Sequence, residues 1–304
     1  MAISTVKATI NGTEFSLTYN GSSLKWEATL TAPSGSSYNL AGGYYGVSVT
    51  AVDSALNSTT VNSTDATLGA SLRLVVKEKV IPTVPIISPD ASAYLTNNKP
   101  VITFQLRDAD SGIKITTLAL KFDGGAVIGN AATGMVCTSV SGGYDCSYTT
   151  QTALSDGAHT ITVDIDDNDG NSAAQASRSF TVDTVAPSLN VTAPTDNYET
   201  NQTTISVVGV TSDTTSSPVV IAITLGGVNQ GAVTVDGGGN FSKSITLAAG
   251  SNTIVVTATD LAGKITSITR TVILNTNAPL ITAVEIIPNP ADAGATYVIK
   301  VTIA

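Results

Sequence analysis

The stretch VDIDDNDGNS, residues 163–172, places four aspartates, Asp164, Asp166, Asp167 and Asp169, within six positions. Clustered carboxylates ligate hard cations, act in pairs as general acid and base, or bond backbone amides in a turn. A calcium loop of the EF-hand kind needs acids at positions 1, 3 and 5, glycine at 6 and glutamate at 12. With Gly170 at position 6, Asp167 and Asp169 fit positions 3 and 5, but positions 1 and 12 hold Ile165 and Ala176. A bound calcium would use Asp166, Asp167 and Asp169. The failed pattern favours a solvated turn after a strand and no cofactor. Asp164 and Asp166 share one face of that strand, the solvent face if their polar counterparts Thr257 and Thr259 are a guide.

Other chemistry is sparse. The stretch RDADSGI offers Asp108 and Asp110, and an Asx-type turn is favoured there over a second acidic site. His159 is the only histidine, so any Ser-His-Asp or Cys-His arrangement must use it. Nothing near it resembles a nucleophile elbow, and a surface or turn histidine is expected. No Gly-rich stretch joins a strand to a helix, so no phosphate cradle is implied. Glycosidase carboxylates fit poorly with short Gly-rich loops holding few acids and aromatics. No catalytic residue is assigned. Cys137 and Cys146 flank a turn at Ser141-Gly142. Counting outward pairs them at a non-hydrogen-bonded position, where a cross-strand disulfide is feasible; two buried thiols are the alternative.

The elements that position these residues repeat. GVSVTAVDSALNSTT (46–60), HTITVDIDDNDGNSA (159–173) and NTIVVTATDLAGKIT (252–266) each read as strand, aspartate, turn, strand. Asp53, Asp167 and Asp260 align, so Asp167 needs no special role. In the preceding strands Trp26, Tyr144 and Phe241 align and are expected in the core, with Leu30, Tyr148 and Ile245 four residues later on the same face. A sugar-stacking role for Trp26 is the alternative. Proline linkers at KVIPTVPIISP (79–89), DTVAPSLNVTAP (183–194) and NTNAPLITAVEIIPNP (275–290) mark boundaries. The chain divides into 1–78, 79–184, 185–276 and 277–304. Short alternating strands between Gly, Asn, Asp and Ser turns predict an all-β fold of tandem antiparallel sandwiches. The first module aligns from the middle of the third, as if lacking its first two strands, whereas 277–304 reads as those two strands.

Composition bounds the function. Charged residues are 12% of 304 and the net charge is −9, which leaves nucleic acid no basic footprint. Mean hydropathy is +0.24, yet no apolar run approaches the ~18 residues of a membrane span. The start MAISTVKATING lacks the basic and apolar regions of a secretory signal, consistent with release by lysis.

The proline linkers, DADSGI (108–113) and the closing VTATDLAG (256–263) resemble bacterial immunoglobulin-like repeats, found in tandem in surface adhesins and tailed-phage virion proteins. The ending EIIPNPADAGATYVIKVTIA resembles repeats of tail-associated proteins. The resemblance implies a non-enzymatic structural or adhesive protein of a phage virion, tail-associated or decorating, made in the host cytoplasm and released by lysis. A segment of a bacterial cell-surface adhesin is the alternative. Expected partners are other virion proteins, host surface polysaccharide and further copies of the chain, residues 277–304 completing the first module of a neighbour or of the same chain; a frayed tail is the alternative.

Overall fold

The computed structural model describes residues 2–287 and 289–304. It is nearly all β, as alternation predicts: Val101–Arg107 and Gly157–Asp164 bury every second residue, the period of a pleated strand with one face inward. Among the described residues no helix is long and apolar enough to cross a membrane. The chain divides into two compact units, Met1–Val182 and Asp183–Ala304.

The first unit begins with β1 (Ile3–Ile10), β2 (Thr13–Asn20), β3 (Lys25–Glu27), β4 (Tyr45–Asp53), β5 (Ser58–Asn62) and β6 (Arg73–Leu74). These form one sheet in the order β3-β2-β1-β4-β5, with β6 also on β4. Its buried apolar residues are few: Val6, Ala8 and, beyond the sheet, Val76. Trp26 departs from the sequence expectation. Its strand pairs with β2, and its half-buried ring leans on Tyr19 at 5.8 Å rather than entering a core. Tyr144 is half-buried against the second module's core, and only Phe241 is fully buried.

The same unit continues with β7 (Ile86–Ser88), β8 (Tyr94–Leu95), β9 (Val101–Arg107), β10 (Ala119–Phe122), β11 (Met135–Val140), β12 (Gly143–Thr149), β13 (Gly157–Asp164) and β14 (Ala176–Val182). Two sheets, β10-β13-β14-β8 and β11-β12-β9-β7, enclose a core that includes Ile102, Phe104, Leu106, Leu120, Ile161 and Phe180. Gly143 (φ +148°) lies so close to β9 that a Cβ would meet the Leu106 carbonyl oxygen at 1.9 Å, so no side chain fits there.

The second unit repeats this plan with β15 (Ser188–Ala193), β16 (Tyr198–Thr200), β17 (Thr204–Ser212), β18 (Val220–Leu225), β19 (Val228–Asn229), β20 (Asn240–Thr246), β21 (Gly250–Thr259) and β22 (Ile265–Leu274). Its sheets are β15-β17-β20 and β16-β22-β21-β18-β19. In both sandwiches a short strand runs parallel to the last one, β8 on β14 and β16 on β22. The unit ends in an antiparallel hairpin of β23 (Ile281–Ile287) and β24 (Val298–Ile303), and every residue of these two strands is exposed.

Candidate functional site

One turn is built three times. Asp53 ends β4, Asp167 and Asp260 follow β13 and β21, and each donates its backbone N–H to a carbonyl four residues on. In Asp167, Oδ1 accepts the N–H groups of Gly170 (2.6 Å) and Asn171 (2.8 Å), and Oδ2 accepts Asn171 Nδ2 (2.7 Å). Asp53 does the same with Ala55 and Asn57. At Asp260 the fourth residue is Lys264, which offers only its backbone N–H, at 2.8 Å. The buried Oδ2 of Asp260 is left without a donor.

The four aspartates of 164–169 do not converge. Asp164 accepts Gln175 Nε2 and Asp166 accepts Ser172 Oγ. Asp169 Oδ2 accepts the Glu78 N–H at 2.9 Å. Asp166, Asp167 and Asp169 therefore do not face one point: the adjacent Asp166 and Asp167 point to opposite faces, and of the three only Asp167 turns inward, fully buried.

Asp167 meets Glu78 and Asp108 instead. Each of these three residues offers a carboxylate oxygen, and the three oxygens lie within 4.8 Å of one another. Glu78 comes from the linker, Asp108 from the loop between β9 and β10, and Asp167 from the loop after β13. The second sandwich assembles Asp183, Asp213 and Asp260 in the same way. Asp108 and Asp213 are held alike, each Oδ1 accepting two backbone N–H groups within its own loop, from Asp110 and Gly112 and from Thr215 and Ser216. Both clusters are tied to their linkers. Ser111 donates its N–H to Glu78 Oε1 at 2.6 Å, and Ser216 Oγ donates to Asp183 Oδ2. Burial pushes the Glu78 carboxyl above its ordinary range; the hydrogen bond from the Ser111 N–H opposes this and the charges of Asp108 and Asp110 add to it.

Sequence reading did not join these residues, yet a signal was present. Glu78 and Asp183 stand four residues before Pro82 and Pro187, and Asp108 and Asp213 stand 26 residues after those prolines. RDADSGI is the Asx-type turn expected, with Asp108 also in the first cluster.

Around the first cluster, the first module is seated on the second. Ser36 N–H donates to both oxygens of Asp110 (3.0 and 2.9 Å), and Asn39 Nδ2 donates to the Asp110 carbonyl at 2.6 Å. Lys77 Nζ donates to the Asp169 carbonyl at 3.0 Å, and Asn171 Nδ2 to the Glu78 carbonyl at 3.2 Å.

His159 is buried rather than exposed. Its Nδ1 is 2.7 Å from Asp123 Oδ2 and its Nε2 is 2.8 Å from the Ser155 carbonyl, so both ring nitrogens are occupied and neither is free for acid-base work. Burial alone would lower its pKa; the Ser155 carbonyl and Asp123 outweigh that and raise it. Cys137 and Cys146, directly opposite across β11 and β12 with Cα atoms 4.1 Å apart, are joined as a disulfide.

Residues 89–184 match the family of the bacterial Ig-like domain, and residues 187–276 match domain B of glucodextranase. Among solved structures, the fibronectin(III)-like modules of Clostridium thermocellum CbhA are 16% identical, with 64% of this chain and 94% of that chain covered and a TM-score of 0.37. An I-band fragment of titin is 11% identical, with 90% and 88% covered and a TM-score of 0.41. No curated protein matches the chain in sequence. The two sandwiches and the family match make the chain a tandem immunoglobulin-like protein, of a fold class that is typically non-catalytic.

Proposed function

We propose that the chain is a non-enzymatic structural and adhesive part of a tailed-phage virion, tail-associated or decorating, which spaces out a surface that binds host glycans weakly and many times over. The observation that carries this reading is the repeat: two sandwiches with separate cores, whose acidic loops are spent on holding linkers. Function must be argued from sites, because the fold hosts many roles, and the conserved geometry between these repeats is architectural. The test is to sediment the purified chain with host cell-wall and mucosal polysaccharide and to assay the supernatant for released sugar. Retention without release supports the reading. Release contradicts the non-enzymatic part, and absence of retention on every polysaccharide contradicts the adhesive part.

The same proposal assigns the last hairpin to a second copy. Its strands β23 and β24 pair antiparallel as β15 and β17 do, and two strands cannot bury a core by themselves. One face is apolar and open, with Val284, Ile286, Ile299 and Val301 all exposed, while the other carries the Glu285–Lys300 pair. Among the described residues the first module forms a single sheet, with no second sheet paired from its own strands. Donation of 278–304 into a neighbour's first module would cover both and, being head-to-tail, would give a ring or a filament. Deleting 278–304 should lower the mass in solution and expose 1–78 to protease; a deletion that changes neither contradicts the assignment.

A further inference from the structure

We propose that β24 of a second copy adds to the open edge of β3, antiparallel, with Val301 opposite Trp26, Ile299 opposite Ala28 and Tyr297 opposite Leu30. The inference rests on the assignment of the last hairpin to a second copy, and it names the strand and the register that receive it. The first support is what flanks the equivalent strands. β12 lies between β11 and β9, and its Tyr144 stands opposite Ser139 on one side and Leu106 on the other. β3 matches β12 in the repeat, and its Trp26 stands opposite Tyr19 of β2. Among the described residues no strand pairs with the other edge of β3. The strand also stops early. β12 runs to Thr149 and β20 to Thr246, whereas β3 ends at Glu27 and residues 28–32 are exposed and belong to no strand. An edge with unpaired N–H and C=O groups is a template for another strand.

The hairpin carries the matching face. Antiparallel partners share a face, so Ile281 with Ile303, Val284 with Val301, and Ile286 with Ile299 make one apolar surface. Aligning Pro279 with Pro187 sets Leu280 on Ser188. Leu280 and Ala304 exchange both backbone hydrogen bonds, and Ser188 pairs with Ser212, so Ala304 falls on Ser212. Val301, Ile299 and Tyr297 then take the places of Gly209, Val207 and Ile205, which pair with Phe241, Lys243 and Ile245 of β20. In the second module those places hold Leu106, Phe104 and Ile102, each at most 1% exposed. Carried to β3 by the alignment of Trp26 with Phe241, this register sets Val301 beside Trp26. A slip of one residue would turn Glu285 and Lys300 to the core side instead. The donor is a second copy because the tether is short. Residues 275–280 join β22 to β23 and extend to about 20 Å. Within one chain the hairpin would have to pass two sandwiches whose longer strands run to about 25–35 Å.

The test mixes full-length chains that each carry one added cysteine, one chain of each pair lengthened by a tag, under mild oxidation that leaves the Cys137–Cys146 bond intact. Ala28→Cys with Ile299→Cys should give a covalent dimer of unlike chains, because opposite residues of an antiparallel pair stand about 4.5–5.5 Å apart, within reach of a disulfide. Ala28→Cys with Lys300→Cys should not, since Lys300 lies on the other face. Ile299→Cys with Thr60→Cys should not either, since Thr60 is on β5, the far edge of the same sheet. The unaltered chain gives a second readout that needs no variant to fold. Trp26 is its only tryptophan, so its emission should move to the blue as the chain associates with rising concentration and return on dilution, where Trp26 rests on Tyr19 alone. Association with a bond at Lys300 or Thr60 in place of the Ala28–Ile299 bond, or with no change in Trp26 emission, overturns the strand and register and leaves hairpin donation standing. A bond formed only when both cysteines sit in one chain overturns the second copy. No association and no bond in any mixture overturns donation itself.

Discussion

Ser36 and Asp110 join the first two modules: the Ser36 N–H lies 3.0 and 2.9 Å from the two oxygens of the Asp110 carboxylate, across 74 residues of chain. The contact is charge-assisted and partly buried, and hydrogen bonds to a charged group contribute about 1.5–3 kcal/mol. Asp110→Ala should therefore loosen the seat of the first module without disturbing the second module's core. Limited proteolysis should show faster cutting near residues 34–40 and 77–82. Unchanged cutting there would mean that the linker alone sets the junction.

Stability should depend on pH through His159 and Asp123. The His159 pKa is raised above 6.5, so its contribution is complete below that value and lost as pH rises through the raised pKa. The Asp123 carboxyl is lowered below 3.8: burial opposes this, but the His159 and Thr160 hydrogen bonds and the His159 charge outweigh it. Its contribution is present above 3.8 and lost as pH falls through the lowered pKa. The melting temperature difference between the unaltered chain and His159→Gln should be largest between pH 3.8 and 6.5 and shrink above the raised pKa. A difference that stays flat through neutral pH would contradict the pairing.

An aromatic in a closed sandwich and one on a single sheet should not be equivalent in energy. Phe104 is 1% exposed within two closed sheets, and truncating such a residue costs about 3–5 kcal/mol. Trp26 is half-buried on a single sheet beside Tyr19, and an aromatic pair of that kind is worth about 0.5–1.5 kcal/mol. Denaturant unfolding of Phe104→Ala and Trp26→Ala should separate them in that order. Equal losses would place Trp26 in a core that the single sheet does not provide.

The Cys137–Cys146 bond spans a sequence separation of 9. Loop-closure entropy assigns about 3 kcal/mol to a 15-residue loop and slightly less to a shorter one. The double serine variant should fold and melt lower by an amount of that order. No change in melting temperature would mean that the hairpin register is held without the bond.

Strands and modules were legible because alternation and repeated turns are local signals. VITFQLR and HTITVD carry their burial pattern on their face, and Asp53, Asp167 and Asp260 mark the same turn in each repeat. The carboxylate clusters were not legible, because Glu78, Asp108 and Asp167 lie in three loops and meet only after folding. His159 finds Asp123 36 residues away, which no local pattern announces. Trp26 aligns with Phe241 in sequence, but β20 pairs with β17 while β3 has only β2 beside it. An aromatic at the same repeat position therefore meets a different neighbour.

The central claim is that this array is displayed on a virion and acts there mechanically rather than catalytically. Immunogold electron microscopy of purified particles, with antibody raised against the chain, tests it most directly. The account predicts label at a fixed place on intact tailed particles, on the tail or decorating the head. Label confined to bacterial cell envelopes, with unlabelled particles from the same lysate, would contradict it and favour a cell-surface adhesin.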